Sequence, residues 1–335
     1  MPFFIYFNHF TPFNLNPQVW ATRMSPLQIM KNHYTVDDLK NIPHNFDSLV
    51  GIDSDGCVFD SMTVKQKEHF HPLIIKYWNL EKCAKEIRTC AEFANLFSKT
   101  RGTNRFPALL KTFELFHDYP GVKESGVELP KSEALKSYIE SGLPLGNPTL
   151  TDEVKRTGDP ELKRLLEWSL AINLDIDKNM REIPPFEWAL KALKIVGTKS
   201  DLFVVSQTPE EALVKEWNLH NIHQYVYLIA GQELGTKAVH LKTAANGKYE
   251  QKRVLMVGDA PGDYKAAMAA NALFYPINPG KEEASWERFC KEAFDKFLNG
   301  TFDDEYQKMV ADEFEASLPE YPSWLRQDSG RERPC

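Results

Sequence analysis

Short apolar runs that stop abruptly at an acidic or small polar residue recur along this chain. Leu49, Val50 and Ile52 lead to Asp53, Leu202-Phe203-Val204-Val205 leads to Ser206, and Arg253-Val254-Leu255-Met256-Val257 closes in Gly258 and Asp259. Tyr225 to Ile229 and Ala272 to Tyr275 are two further runs of the same kind. Uninterrupted runs rich in β-branched residues suit strands buried on both faces of a parallel sheet. Open sheets of that type bind ligands beyond the carboxyl ends of their strands, which is where these polar residues fall.

Between Met62 and about Lys194 the period changes. Phe70, Leu73, Ile74, Tyr77 and Trp78, then Ile87, Cys90, Phe93, Ala94 and Phe97, recur at helical spacing, as do Leu162, Leu165, Leu166 and Trp168. Pro120, Pro130, Pro144, Pro148 and Pro160 break this stretch into separate helices, and Pro184-Pro185 mark its return through a helix from Phe186 to Ile195. A short helix is expected from Thr35 to Asn41, with Thr35 as N-cap and Pro43 as its stop. Residues 282–326 read as two amphipathic helices separated by Asn299-Gly300, their aromatic stripes serving as core. The pattern predicts an α/β fold: a Rossmann-like parallel sheet, an inserted all-helical domain and C-terminal helices.

Composition narrows the function. A chain of 335 residues can build two domains, and 42% hydrophobic with 26% charged residues is ordinary for a globular protein. A net charge of −7 without any dominant Lys/Arg cluster excludes nucleic acid as the partner. Five scattered cysteines without C-x-x-C spacing signal neither a disulfide framework nor zinc, so a reducing cytoplasm is expected. No apolar run has the roughly 18 residues of a membrane span. Residues 1–22 are aromatic-rich without the charge pattern of a signal peptide; they read as a loosely ordered arm, with Met24 or Met30 as alternative starts, and 327–335 as a frayed tail.

The chemistry concentrates at the run ends. In Asp53-Ser54-Asp55-Gly56 two carboxylates separated by one residue point the same way, and Gly56 lets the chain turn away from a bound ligand. Such a pair shares one divalent cation or divides nucleophile and acid/base roles. The hydrophobic residues after Gly56 disfavour a calcium loop, which needs further oxygen ligands there. Ser206-Gln207-Thr208-Pro209 lies between a strand and a helix; Thr208 with Glu211 has capping-box spacing, and the junction suits a phosphate. Ser206 acting only as a turn residue is the plain alternative. Lys237 begins a helix, where a cation is unfavourable unless an anion faces it. Gly258-Asp259-Ala260-Pro261-Gly262-Asp263 supplies a second acidic strand end, as a shared divalent metal requires. Within the helical stretch, Arg101, Asn104 and Arg105 surround Gly102 at a helix break and suit either an anionic substrate tail or a solvated capped turn. His69 and His71, two apart on a helix, do not face each other and read as packing residues; His117 carries no signal.

The ordered set of D-x-D-G at 53, Ser206, Lys237 and G-D-x-x-x-D at 258 resembles the haloacid dehalogenase superfamily, over about residues 46–62 and 195–280. The resemblance implies Asp53 as the nucleophile that forms an aspartyl-phosphate and Asp55 as the general acid and base. It implies Ser206, Gln207 and Lys237 as phosphate-binding residues. Mg²⁺ would be held by Asp53, the backbone carbonyl of Asp55 and Asp259, with Asp263 ligating or orienting. An aspartate at 55 separates the chain from the dehalogenating branch. The insertion resembles a mobile helical (C1-type) cap, although the stretch from 60 to 206 exceeds a plain four-helix cap.

The expected organisation is therefore an extension over 1–45, a core of 46–62 plus 195–280, a cap over 63–194 and a C-terminal helical extension over 281–335. The expected function is a Mg²⁺-dependent phosphohydrolase of a small phosphorylated metabolite, acting as monomer or homodimer away from membranes. A phosphomutase of the same superfamily, in which water is excluded, is the nearest rival. A phosphonate hydrolase with a cap lysine, and a non-catalytic regulatory protein docking through the chain ends, are the others; all four motifs are intact, which weighs against the last.

Overall fold

The computed structural model describes residues 33–326. The readings of an N-terminal arm over 1–22 and of a frayed tail over 327–335 lie outside these residues. The chain enters through α1 (Val36–Lys40), closed by a capping box between Thr35 and Asp38. Among the described residues five strands follow, β1 (Leu49–Ile52), β2 (Asp201–Val205), β3 (Ile229–Ala230), β4 (Val254–Gly258) and β5 (Leu273–Pro276). They form one parallel sheet in the order β3-β2-β1-β4-β5.

The third strand is shorter and later than the run Tyr225 to Ile229 predicted. His223–Tyr225 is a 3-10 turn, and only Ile229 and Ala230 pair fully with Val204 and Val205. An apolar run without alternation gives no register, and here the turn takes Tyr225 while Val226 to Leu228 stay irregular.

Strand periodicity divides the buried side chains between the two faces. Leu49, Phe203, Val205, Val254, Met256 and Phe274 point one way and pack with Leu39 of α1, Leu241 and Ala244 of α11 (Lys237–Ala245), Ala266 and Ala267 of α12 (Pro261–Ala269) and Phe314 of α15 (Asp304–Ser317). Gly51 keeps that face open for α11: a Cβ there would stand 2.9 Å from Leu241 and 2.8 Å from Val205. On the opposite face Tyr275 stacks against Phe289, which in turn contacts Trp286 of α13 (Glu282–Arg288) and Phe294 of α14 (Phe294–Leu298).

The stretch between β1 and β2 is helical throughout its regular structure. α2 (Ser61–Val64), a π-helical turn (Lys65–Phe70) and α3 (His71–Tyr77) form one continuous rod, followed by the separate helices α4 (Ala84–Leu96), α5 (Arg105–His117), α6 (Glu133–Glu140), α7 (Asn147–Thr157) and α8 (Pro160–Asn179). These bury a hydrophobic cluster of their own, centred on Trp78, Phe113 and Trp168, whose rings meet edge to face at 5.0 and 5.8 Å. The chain returns through α9 (Glu187–Val196) after Phe186 N donates to Val58 O, beside the turn that follows β1. α10 (Glu210–Leu219) connects β2 with β3, and α16 (Ser323–Arg326) ends the described chain. Among the described residues no helix is long and apolar enough to cross a membrane, and Cys57, Cys83, Cys90 and Cys290 are unpaired.

Candidate active site

The register of the three central strands brings the polar run ends together. Ile52 lies opposite Val204 on one side and Val257 on the other, so Asp53 and Ser54 stand level with Val205 and Ser206 and with Gly258 and Asp259. Asp53 continues the ladder, its N–H donating to Val257 O at 3.0 Å, and is only 4% exposed. The chain then reverses tightly, with Cys57, Val58 and Phe59 N–H groups all donating to Ser54 O. Gly56 at φ +77° is required here. A Cβ would stand 2.6 Å from Asp259 Oδ2 and 2.8 Å from Arg101 Nη2, in a conformation L side chains avoid.

Asp263 occupies the first turn of α12. Its Oδ2 accepts from the N–H groups of Asp259 and Ala260, which fixes the β4–α12 loop, and its Oδ1 meets Lys237 Nζ at 2.6 Å. The same ammonium reaches Asp53 Oδ2 at 2.7 Å. Lys237 thus finds, in Asp53 and Asp263, the anions its place at the start of α11 demanded. Burial opposes its charge, but the two carboxylates outweigh that and raise its pKa.

Asp53, Asp259 and Asp263 each offer a carboxylate oxygen, the three lying within 4.8 Å of one another, all buried. Asp259 Oδ1 is buried without a hydrogen-bond partner, whereas Oδ2 is taken by Arg101. An orphaned buried carboxylate oxygen beside two more carboxylates is the donor set of a hard divalent cation, and these residues fit Mg²⁺. The Asp55 side chain is not in this cluster. Burial raises the Asp53 pKa, against the pull of Lys237 and with the push of Asp263 and Asp259. Burial likewise lifts Asp259, which Arg101 only partly offsets, to about 6. A cation would relieve both.

Asp55 lives in a different field. Ser61 and Thr208 hydroxyls donate to its two oxygens and Lys65 Nζ stands 2.7 Å from each. Burial opposes ionisation, yet Lys65 and these hydrogen bonds prevail and hold the carboxyl at about 2. Next to it, burial and the Asp55 charge push Glu216 up to about 7, against Lys65. Lys65, Ser61 and Glu216 were not legible as site residues. Ser61 and Lys65 share a helix face by their spacing of four, but nothing in the sequence says that this face turns back over the D-x-D-G turn.

Other expected residues take other places. The capping box from Thr208 to Glu211 does not form: the N-cap of α10 is Pro209 without a side-chain cap, and Thr208 Oγ1 goes to Asp55 Oδ2 at 2.6 Å instead. Charge-assisted bonding to a buried carboxylate outweighs a cap. Ser206 is buried and its Oγ accepts from Thr208 N, so it shapes the turn beside Asp55. Gln207 Nε2 donates to Ser206 O and Gly235 O, tying the β2 loop to the start of α11. Of the three residues around Gly102, only Arg101 joins the carboxylates. Asn104 caps α5 and donates to Leu145 O. Arg105 donates to Ser169 and Asn173 of α8 and lies 5.4 Å from the Phe70 ring centroid. His69 is buried against Asp175, and His117 bonds Pro130 O.

The family model for haloacid dehalogenase-like hydrolases matches residues 119–276. That span contains Ser206, Lys237, Asp259 and Asp263 but not Asp53 or Asp55. Among solved structures, the chain is similar to a haloacid dehalogenase-like hydrolase family protein of Streptococcus pneumoniae, at 12% identity over 72% of this chain and 90% of that one, with a TM-score of 0.36. It is also similar to a haloacid dehalogenase-superfamily hydrolase, subfamily IA, variant 1, of Geobacter sulfurreducens, at 13% identity over 68% and 86%, with a TM-score of 0.35. No curated protein matches. The residues matched by the haloacid dehalogenase-like hydrolase model carry strands β2 to β5 of the parallel sheet and the motifs at the ends of β2 and β4.

Proposed function

We propose that this protein is a Mg²⁺-dependent phosphohydrolase that cleaves a small phosphomonoester through an aspartyl-phosphate on Asp53. The observation that carries the reading is Lys237, buried between Asp53 and Asp263 beside a three-carboxylate cluster at the carboxyl edge of the sheet. Phosphoryl transfer is mostly positioning and charge neutralisation, and these groups supply both.

Asp53, Asp259 and Asp263 would hold the cation, together with the backbone carbonyl of Asp55. When bound, Mg²⁺ neutralises charge on the transferring group. Lys237 moves from its two carboxylates toward the phosphoryl oxygens, with Ser206 and Gln207 lining the adjacent turn. Asp53 attacks phosphorus, the ester P–O bond breaks, and the leaving oxygen takes a proton from the Asp55–Lys65 pair. In the second half the deprotonated pair removes a proton from water, which attacks phosphorus and returns Asp53 as a carboxylate.

The test is phosphate release from a panel of sugar, nucleotide and small-acid phosphates, with and without Mg²⁺, alongside Asp53→Asn. Release that needs the metal and vanishes in the variant is the expected result, with a hydroxylamine-labile phosphoryl group on the wild type only. Absence of release by the folded wild type, across the panel and with metal present, overturns the reading.

A further inference from the structure

The guanidinium of Arg101 reaches the carboxylate cluster from the connection between α4 and α5 and is seated there as firmly as the aspartates themselves. Its side chain is 3% exposed and that of Asp259 0%. Nη2 and Nε contact Asp259 Oδ2 at 2.6 and 2.8 Å, Nε also donates to Asp259 O at 3.0 Å, and Nη1 donates to Leu96 O at 2.8 Å. Two glycines make the slot. A Cβ on Gly56 would stand 2.8 Å from Nη2, and one on Gly102, at φ +72°, would stand 2.7 Å from Ala260 Cβ. The turn that carries Arg101 is itself tied down, through Arg101 N to Ser98 O and the Ser98 and Thr100 hydroxyls to Ala94 O.

We infer that Arg101 is a built-in competitor for the divalent cation: it occupies one oxygen of Asp259, leaves the other free, and so sets cation affinity low until the helical layer shifts. A purely structural pin would have no reason to stop at one oxygen of a fully buried carboxylate, since the unbonded Oδ1 costs stability. A cation using Oδ1 shares the carboxylate with a like charge held 2.6–2.8 Å from its Oδ2. Because the guanidinium is anchored to Leu96 O and the Ser98 and Thr100 hydroxyls to Ala94 O, all on the last turn of α4, a cation that displaces Arg101 also loosens residues 98–103, and the two events are linked. Arg101 is thus a positioning residue acting through Asp259, and the inference rests on the reading of Asp53, Asp259 and Asp263 as a cation site.

The experiment is calorimetric titration of the full chain with Mg²⁺, and Mn²⁺ titration followed by its free-ion paramagnetic signal, for wild type, Arg101→Gln and Arg101→Lys. Arg101→Gln should bind both ions at least ~10-fold tighter, with Arg101→Lys between it and wild type, because the charge and not the shape is being removed. Hydrogen exchange on the wild type gives a measurement that needs no variant: Mg²⁺ should speed exchange at 98–103 while slowing it at 259–263. Unchanged or weaker binding in Arg101→Gln, or slower exchange in both segments, overturns the competitor and leaves the cation site standing. Wild type and variants that all fail to bind either ion overturn both.

Discussion

Lys65 Nζ stands 2.7 Å from both carboxylate oxygens of Asp55, at the start of the π-helical turn Lys65–Phe70. With Lys65 and two hydroxyls holding it at about 2, the Asp55 carboxyl by itself is a weak acid–base group at neutral pH. Lys65→Met leaves, among the described residues, the hydroxyls of Ser61 and Thr208 to bond a buried carboxylate, so its pKa rises. The acidic limb of the kcat/KM profile for phosphate release should move upward by about one to two pH units. A limb that stays in place would show that the Asp55–Lys65 pair does not carry the proton.

Stability should respond to pH with two opposite signs. Asp55 has its folded pKa lowered to about 2. Its contribution, ~2 kcal/mol, is present above the unfolded value near 4 and is lost as pH falls through 2. Asp259, at about 6, and Glu216, at about 7, are raised by burial. Their ionisation costs stability above those values, and the cost fades as pH falls toward 4. Burial holds His71 at about 3 and His240 at about 4, so both cost stability as pH falls below the unfolded value near 6.5 and offset the gain from Asp259 and Glu216. The cation-free melting temperature should therefore change little between pH 8 and pH 5, then fall steeply below pH 4. Added Mg²⁺ should raise the melting temperature at pH 8 and much less at pH 5, where Asp259 holds a proton. A cation-free melting temperature that falls steadily from pH 8 to pH 5 contradicts this account.

The readable part of the molecule is the part whose chemistry is local in sequence. Runs such as Leu49–Ile52 and Val254–Gly258 announce buried strands, and the acid that ends each one is carried by register to the same edge of the sheet. Lys237 was legible because a cation at a helix start lacks a partner nearby in the chain. Thr208 was misread as a cap because its true partner, Asp55, lies 153 residues away. Arg101 fell within a suspected stretch, but the sequence cannot tell an arginine awaiting substrate from one already paired with Asp259. The third strand slipped by several residues since Tyr225–Ile229 has no alternation to set its register.

Gly56→Ala tests how closely the first turn is built. The added methyl would strike Asp259 Oδ2 and Arg101 Nη2, and φ +77° is strained for any residue with a Cβ. A loss of roughly 1–3 kcal/mol is expected by chemical denaturation, with phosphate release falling at least about tenfold because Asp259 is displaced. Gly121, where an added Cβ meets nothing within 4 Å although φ is +82°, is the matched control. Gly121→Ala should show the backbone strain alone and leave the rate unchanged. Equal effects at the two glycines would mean that crowding at the cluster plays no part.

The C-terminal end of the described chain ties the helical layer to the sheet. Phe314 of α15 packs on Phe274 of β5 at 5.7 Å, and a few residues later Trp324 meets Phe93 of α4 at 5.7 Å and Tyr119, just after α5, at 5.4 Å. Trp324→Ala removes the far anchor only. Because Trp324 is half-buried, truncation should cost about 1–3 kcal/mol, less than a fully buried tryptophan would. The local signature is more telling than the total. Exchange of backbone amides in α4 and α5 should quicken while those of β1 and β4 stay protected, because the sheet keeps its own packing through Phe314. If all four elements lose protection together, the layer and the sheet open as one unit, and Trp324 does not act as a strap between them.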